Sequence, residues 1–174
     1  MRGQIEKVAV ALIGTRLWAC RRAADMATFQ FGARKEVSDF FGRPSEVGEY
    51  ALHVQCAWRI ARGDQTVVGS RDLYFPASYK DITAEVPPEF DWDRDPNLRD
   101  RLLLSLFDNG TREFAVRRVE VGAAGALRIL LSDGLCLDVV PDTSLELEHW
   151  RLFRPGVDGP HLVVGGAPID RDSG

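Results

Sequence analysis

The chain is poor in cysteine and histidine and holds no long apolar run. Its three cysteines, Cys20, Cys56 and Cys136, are odd in number, far apart, and form no C-x-x-C pair. No zinc knuckle, redox couple or disulfide framework is therefore signalled, and reduced, mostly buried thiols in a cytoplasmic setting are expected. His53, His149 and His161 belong to no H-E-x-x-H spacing, so no motif implies a metal. A G-x-G-x-x-G after the first strand, a phosphate-binding P-loop and a G-x-S-x-G elbow are likewise missing, and no cofactor is implied. No window approaches the roughly 18 apolar residues of a membrane span. The seven uncharged residues Val8–Gly14 follow Glu6 and Lys7 and are the bare minimum for a secretory core. Nor is there an excess of positive charge: 22 basic against 26 acidic side chains leave −4, with pI near 5.4. A nucleic-acid backbone binder needs the opposite balance.

What the chain does have is the composition of an ordinary globule, with 45% hydrophobic and 28% charged residues in 174. At roughly 150 residues per domain this predicts one domain. Basic charge is carried by 19 arginines and 3 lysines, as a GC-rich coding bias would give. Val8–Ile13 reads as a buried strand ended by Gly14. A helix is expected over Arg16–Ala27, capped by Thr15, with Leu17, Cys20, Ala24 and Ala27 on one narrow face. Thr28–Phe31 returns as a strand, and residues 33–48 read as a connection.

The most informative stretch is Glu49–Phe75, where two β-rich runs flank Gly63-Asp64 as a type II′ hairpin turn. Pairing Arg62 with Gln65 puts Ile60 opposite Val67, Trp58 opposite Gly69, Val54 opposite Leu73 and Leu52 opposite Phe75 on the apolar face. The polar face then carries Ala57 opposite Ser70, Gln55 opposite Asp72, and His53 opposite Tyr74. Residues 76–95 form a long loop. A helix follows, capped by Asp95 with Pro96 at its first position, burying Leu98, Leu102, Leu103 and Leu106 and stopping at Asn109-Gly110. Arg112–Val121 is a strand and Gly122–Gly125 a turn. Leu127–Val140 is a second hairpin around Asp133-Gly134, apolar on both faces (Leu127, Ile129, Leu131 against Leu130, Leu135, Leu137) and so expected to be covered on both. Two short strands, Glu148–Phe153 and His161–Val164, close a single α+β domain over residues 1–165, with a flexible polar tail at 166–174. Its body is a strongly curved, mainly antiparallel sheet of about seven to nine strands with two helices, whose closure into a barrel stays open.

Chemistry is sparse. Ser70, Asp72 and His53 are the residue types of a hydrolytic triad, but the register sets the aspartate between the other two. His53 would lie more than ~13 Å from Ser70. Asp91, Asp93 and Asp95 alternate like a calcium loop, yet Pro96 and Leu102 occupy the positions that need glycine and glutamate. The loop therefore offers carboxylates with Phe90 and Trp92 between them, either as a functional surface or as a staple to the core. His149 and Arg151 share a strand face opposite Trp150. They could bind a carboxylate or phosphate, or Arg151 could pair with acids of a neighbouring strand.

At Leu52-His53-Val54-Gln55-Cys56-Ala57-Trp58-Arg59, Val68-Gly69-Ser70-Arg71-Asp72-Leu73-Tyr74, Ser132-Asp133-Gly134 and Glu148-His149-Trp150-Arg151-Leu152-Phe153, the chain resembles a family of uncharacterised proteins from GC-rich bacteria. The resemblance runs from the first expected helix to His161 and implies a shared fold, with no catalytic residue attached. More loosely, size, charge and architecture resemble the immunity proteins that neutralise bacterial toxins. The expected function is a non-catalytic cytoplasmic interaction module with a basic protein partner, binding neither nucleic acid nor membrane. The alternative is a small-ligand binder or enzyme with a pocket over the polar face of the 49–75 hairpin, using His53, Gln55, Asp72 and Tyr74 with Arg59 or Arg151 for an anion.

Overall fold

Alternating burial runs through most of the chain, and the computed structural model, which describes residues 1–38, 42–80 and 83–165, resolves it into strands. Helix α1 (Arg2–Ala9) precedes β1 (Arg16–Ala23), β2 (Met26–Phe31), β3 (Lys35–Ser38), β4 (Pro44–Val47), β5 (Tyr50–Val54), β6 (Ala57–Arg62) and β7 (Gln65–Gly69). Helix α2 (Leu98–Leu106) is followed by β8 (Phe114–Val121), β9 (Leu127–Leu131), β10 (Leu135–Val140), β11 (Trp150–Phe153) and β12 (Leu162–Val164). Ten strands form one antiparallel sheet in the order β12-β11-β5-β2-β1-β8-β9-β10-β6-β7, and β3 and β4 make a separate ribbon. The α+β class with a large curved antiparallel sheet is as expected, with more strands than the sequence suggests.

Only Gln55 and Cys56 separate β5 from β6, yet five strands lie between them in the sheet. The sheet must therefore fold back on itself. The bend is held where the Gln55 and Cys56 amides both donate to the His149 carbonyl, at 2.8 and 3.2 Å. The opposite seam is thin, two residue pairs between β1 and β8. Across the fold Phe29 of β2 meets Trp58 of β6 edge-on, ring centres 5.1 Å apart. The sheet stays open, with β7 and β12 as its edges. Phe29, Phe31, Leu52, Val54, Ile60, Phe114, Ile129 and Leu137 are fully enclosed between the halves, joined by Ile5 of α1 and by Leu103 and Leu106 of α2. Each such side chain contributes about 1.5–3 kcal/mol by leaving water.

Several expected elements are different. Arg16–Ala27 is no helix but β1 and the start of β2, turning at Ala24, which takes φ +52°. A bulge between Leu17 and Ala19 buries both Leu17 and Trp18, so the two-residue period is broken where it would have been read. Val8–Ile13 is the end of α1 plus a single 3-10 turn. Ile5, Ala9 and Leu12 are buried at helical spacing while Val8, Val10 and Ile13 are exposed, an ambiguity that a short apolar run always carries. The 33–48 connection contains the β3–β4 ribbon. Helix α2 is capped by Asn97 rather than Asp95.

The Gly63-Asp64 turn is where expected, with Arg62 opposite Gln65 and Gly63 at φ +56°. Beyond it a bulge slips the register, so Ile60 faces Val68 and Arg59 faces Gly69. The strand then stops. Ser70–Tyr74 winds into a 3-10 turn because the Asp72 carboxylate accepts from the Gly69 amide at 2.8 Å. β5 pairs with β2 and β11 instead. Leu52, Val54, Trp58 and Ile60 do line the interior, but the continuous polar face joining His53 to Asp72 does not exist, because β5 and the 3-10 turn are not paired with each other. In the second hairpin three residues, Ser132–Gly134, make the turn rather than two, with Asp133 at φ +59° and Gly134 at +68°. That extra residue turns Leu135 and Leu137 to the same side as Ile129. The outer side keeps Arg128, Leu130, Cys136 and Asp138 and is not covered. The expected tail at 166–174 lies outside the described residues.

Candidate interaction surface

The loop between the 3-10 turn and α2 is closed at its base. Pro76 and Asn97 form a bridge, the Leu98 amide donates to Phe75 O at 2.8 Å, and the Ala77 amide donates to Pro96 O at 2.8 Å. Asn97 caps α2, its Oδ1 accepting from the Asp100 amide at 2.9 Å. Within the loop the alternating acids hold one another's backbone: the Asp93 amide donates to Asp91 Oδ1 (3.0 Å) and the Asp91 amide to Asp95 Oδ2 (2.9 Å). This is the turn chemistry of aspartate rather than metal ligation. Arg22 of β1 clamps the loop to α2. Its Nη1 and Nη2 donate to Asp93 Oδ1 and O, both at 2.8 Å, and its Nε to Asp100 Oδ2 at 2.9 Å. The Asp93 bond above all, then Asp100, holds this guanidinium even more firmly charged than usual.

The stretch from Asp91 to Asp95 is thus held in place, and Glu85, Glu89, Asp91, Asp93 and Asp95 are all exposed, alongside Lys80 and Arg94. The loop's aromatics are half-sheltered: Trp92 stands edge-on to Tyr74 at 5.7 Å, and Tyr79 leans on Phe75 at 4.9 Å. Phe90 is half-buried beside them in sequence. Directly behind the clamp lies Arg99, in the first turn of α2 and only 1% exposed. Its Nη1 donates to Asp25 O at 3.0 Å and its Cζ lies 6.0 Å from the Trp58 ring centre.

The residues singled out from sequence fall into two groups and three strays. His53, Gln55 and Arg151 meet on the outer side of β5 and β11. There Glu148 accepts from Arg151 Nε and Nη2 at 2.6 and 2.7 Å and from Gln55 Nε2 at 3.1 Å. Arg151 thus pairs within its own segment. His53 sits opposite Arg151, its ring edge-on to Phe153, which stacks on His161. Burial first and Arg151 second lower the His53 pKa. Tyr74, Phe90 and Trp92 belong to the loop. Arg59 lies on the outer side of the other half, 3.2 Å from Asp138. Asp72 is spent on the Gly69 amide, and His149 is buried, its backbone tying β5, β6 and β12 together.

No nucleophile–base pair is assembled from these groups. Ser70 Oγ accepts from the Trp58 amide at 3.3 Å, and His53 is on another strand. All three thiols are free, and burial raises each, Cys56 to about 12. Among the described residues no three His, Cys, Asp or Glu side chains gather as a metal site. Among the described residues, one recess of about 940 Å³ opens to solvent on β6, β8, β9 and β10, edged by Arg2 and Glu6, and another of about 570 Å³ lies beside Trp18, Arg34 and Phe107. Of the sequence candidates, only Arg59 lines either recess.

Comparison with protein-family models, with curated proteins and with solved structures finds no match. Sequence reasoning missed Arg22, Arg99 and Glu148. For Arg99 the signal was present: positions 99, 103 and 106 have helical spacing and are the buried ones. The stripe drawn through leucines alone passed over the arginine.

Proposed function

We propose that the protein is a non-catalytic interaction module whose loop at 76–97 docks on a basic protein partner. The observation that supports this reading is the Arg22 clamp with the bridged loop base, which presents Asp91, Asp93 and Asp95 already held in place. Ordering a loop on binding costs about 0.5–1.5 kcal/mol per immobilised side chain, so a preformed loop keeps that free energy for affinity. Its carboxylates would also steer a cationic partner and speed encounter. An immunity-type protein covering the basic surface of a toxin is one concrete version, in keeping with the net charge of −4. No helix among the described residues is long and apolar enough to cross a membrane.

The tagged chain, expressed in its native host and purified at low salt, is expected to bring down a basic protein in stoichiometric amount. Replacing Glu85→Gln, Glu89→Gln and Asp91→Asn together should reduce the bound partner by about tenfold or more. Recovery of the chain alone, or a substrate turned over by it, overturns the reading.

A further inference from the structure

We infer that the outer side of β6, β8, β9 and β10 is the meeting face of two copies of this chain, a surface that stands apart from the docking loop and is tested apart from it. The strand registers lay four charges side by side across that face: Glu120 opposite Arg128, Arg128 opposite Asp138, and Asp138 opposite Arg59. The signs alternate along a row about 14 Å long, at roughly 4.8 Å per strand. Side-chain exposures of 58% for Arg59, 56% for Arg128 and 40% for Glu120 leave the row uncovered among the described residues.

The row is not closed within the chain. Asp138 serves both arginines, 3.2 Å from Arg59 Nε and 3.3 Å from Arg128 Nε, while Glu120 turns to Arg118 at 3.0 Å. The Nη donors of Arg59 and Arg128 have no hydrogen-bond partner among the described residues. Two positive and two negative charges favour neither a basic nor an acidic partner. An alternating row of four is the complement of its own reverse. A twofold axis between two facing sheets, parallel to their strands, reverses the row. Glu120 then meets the copy's Arg59, and Arg128 meets the copy's Asp138, each contact occurring twice.

The neighbouring rung fits the same operation. Gly122, Ala126, Val140 and Ala57 follow one another there: the Gly122 amide donates to Ala126 O at 2.8 Å, Leu127 opposite Val139 puts Ala126 beside Val140, and Val140 is opposite Ala57. The axis that reverses the charges sets Val140, 49% exposed, over the copy's Ala126, and Ala57 over its Gly122, so that no large side chain meets another. All eight residues line the recess of about 940 Å³. It gives the entering valine and arginines room, and Asp138, only 14% exposed, lies where a guanidinium on its long stem reaches it. Nearly aligned strands about 10 Å apart are a common way for two sheets to pack. Charges across such a face set register more than affinity, and a face four strands wide is small, so the dimer forms at high concentration.

Sedimentation velocity of the full chain over rising concentration tests the face. The wild type is expected to pass from monomer to dimer by about 0.5 mM. Arg59→Glu alone, or Glu120→Arg alone, sets like charges against each other across the axis and should weaken the dimer by about tenfold or more. Mixed in equal amounts, the two variants oppose unlike charges at every position again, and the mixture should dimerise within about threefold of the wild type. Both variants leave residues 76–97 untouched, so the outcome does not depend on the loop. Val140→Lys, at a half-exposed strand end, should also weaken the dimer about tenfold, and it carries the test if a charge variant does not fold. A wild type that stays monomeric, variants that dimerise as the wild type does, or a mixture no better than its components overturns the face.

Discussion

Gly48 stands where β4 gives way to β5, and a Cβ there would lie 2.5 Å from Phe31 O, 2.7 Å from Phe31 N and 2.8 Å from Tyr50 O. These are strand backbone atoms and cannot step aside, while the Gly48 amide is held by buried Gln30 Oε1 at 2.9 Å. Gly48→Ala is therefore expected to cost more than about 2 kcal/mol, read as a lower urea midpoint; an unchanged midpoint contradicts the packing described. His53 gives a prediction in pH. Its folded pKa lies below the ordinary value of about 6.5, because of burial and Arg151. The unfolded chain thus takes up the proton first, so stability is full above that ordinary value and falls as pH drops through the lowered one. His53→Gln should flatten the stability curve between about pH 7 and 5. A curve of the same slope in the variant would contradict the assignment.

One side chain ties several elements together at the next scale. Arg22 joins β1, the acidic loop and α2, but its partners are about half-exposed, with Asp93 56% and Asp100 38% open to solvent. Screening therefore limits its global contribution to about 1 kcal/mol. Its local effect is expected to be larger, since residues 83–96 contribute no fully buried side chain and depend on such contacts to stay closed. Arg22→Ala should speed proteolytic cleavage within 76–97 by about fivefold while hardly moving the melting temperature. Cleavage at the wild-type rate would show that the clamp does not order the loop. What could be read at this scale was what depends on neighbours in sequence: the Gly63-Asp64 turn, the inward side of Leu52, Val54, Trp58 and Ile60, and the helix after Pro96. Bulges at Trp18, between Ile60 and Ala61, and between Val116 and Arg118 leave no mark in composition, and each moves side chains to the other face. The first led β1 to read as a helix.

The whole molecule depends on a sheet folded over at Gln55-Cys56, so that strands adjacent in sequence are remote in the sheet. Nothing local announces this. A straight hairpin from Glu49 to Phe75 satisfies the same alternation, whereas in the fold β5 pairs with β2 and β11, strands distant in sequence. The same fold-back scatters the sequence candidates. His53, Gln55 and Arg151 converge on one outer face, Arg59 goes to the other, and Tyr74 and Trp92 stay with the loop. The loop itself was legible, because consecutive aromatics and acids remain together whatever the sheet does. Arg99 was not, since a charge in the core makes sense only once its surroundings are known.

Cross-linking followed by mass spectrometry on the complex purified from the native host tests the docking claim most directly. The account predicts that links from the chain to a basic partner concentrate on Glu85, Glu89 and Asp91 and disappear when the complex is exposed to high salt. Links gathered instead around His53 and Arg151, or on the outer side of β9 and β10, with residues 76–97 unlabelled, would contradict it.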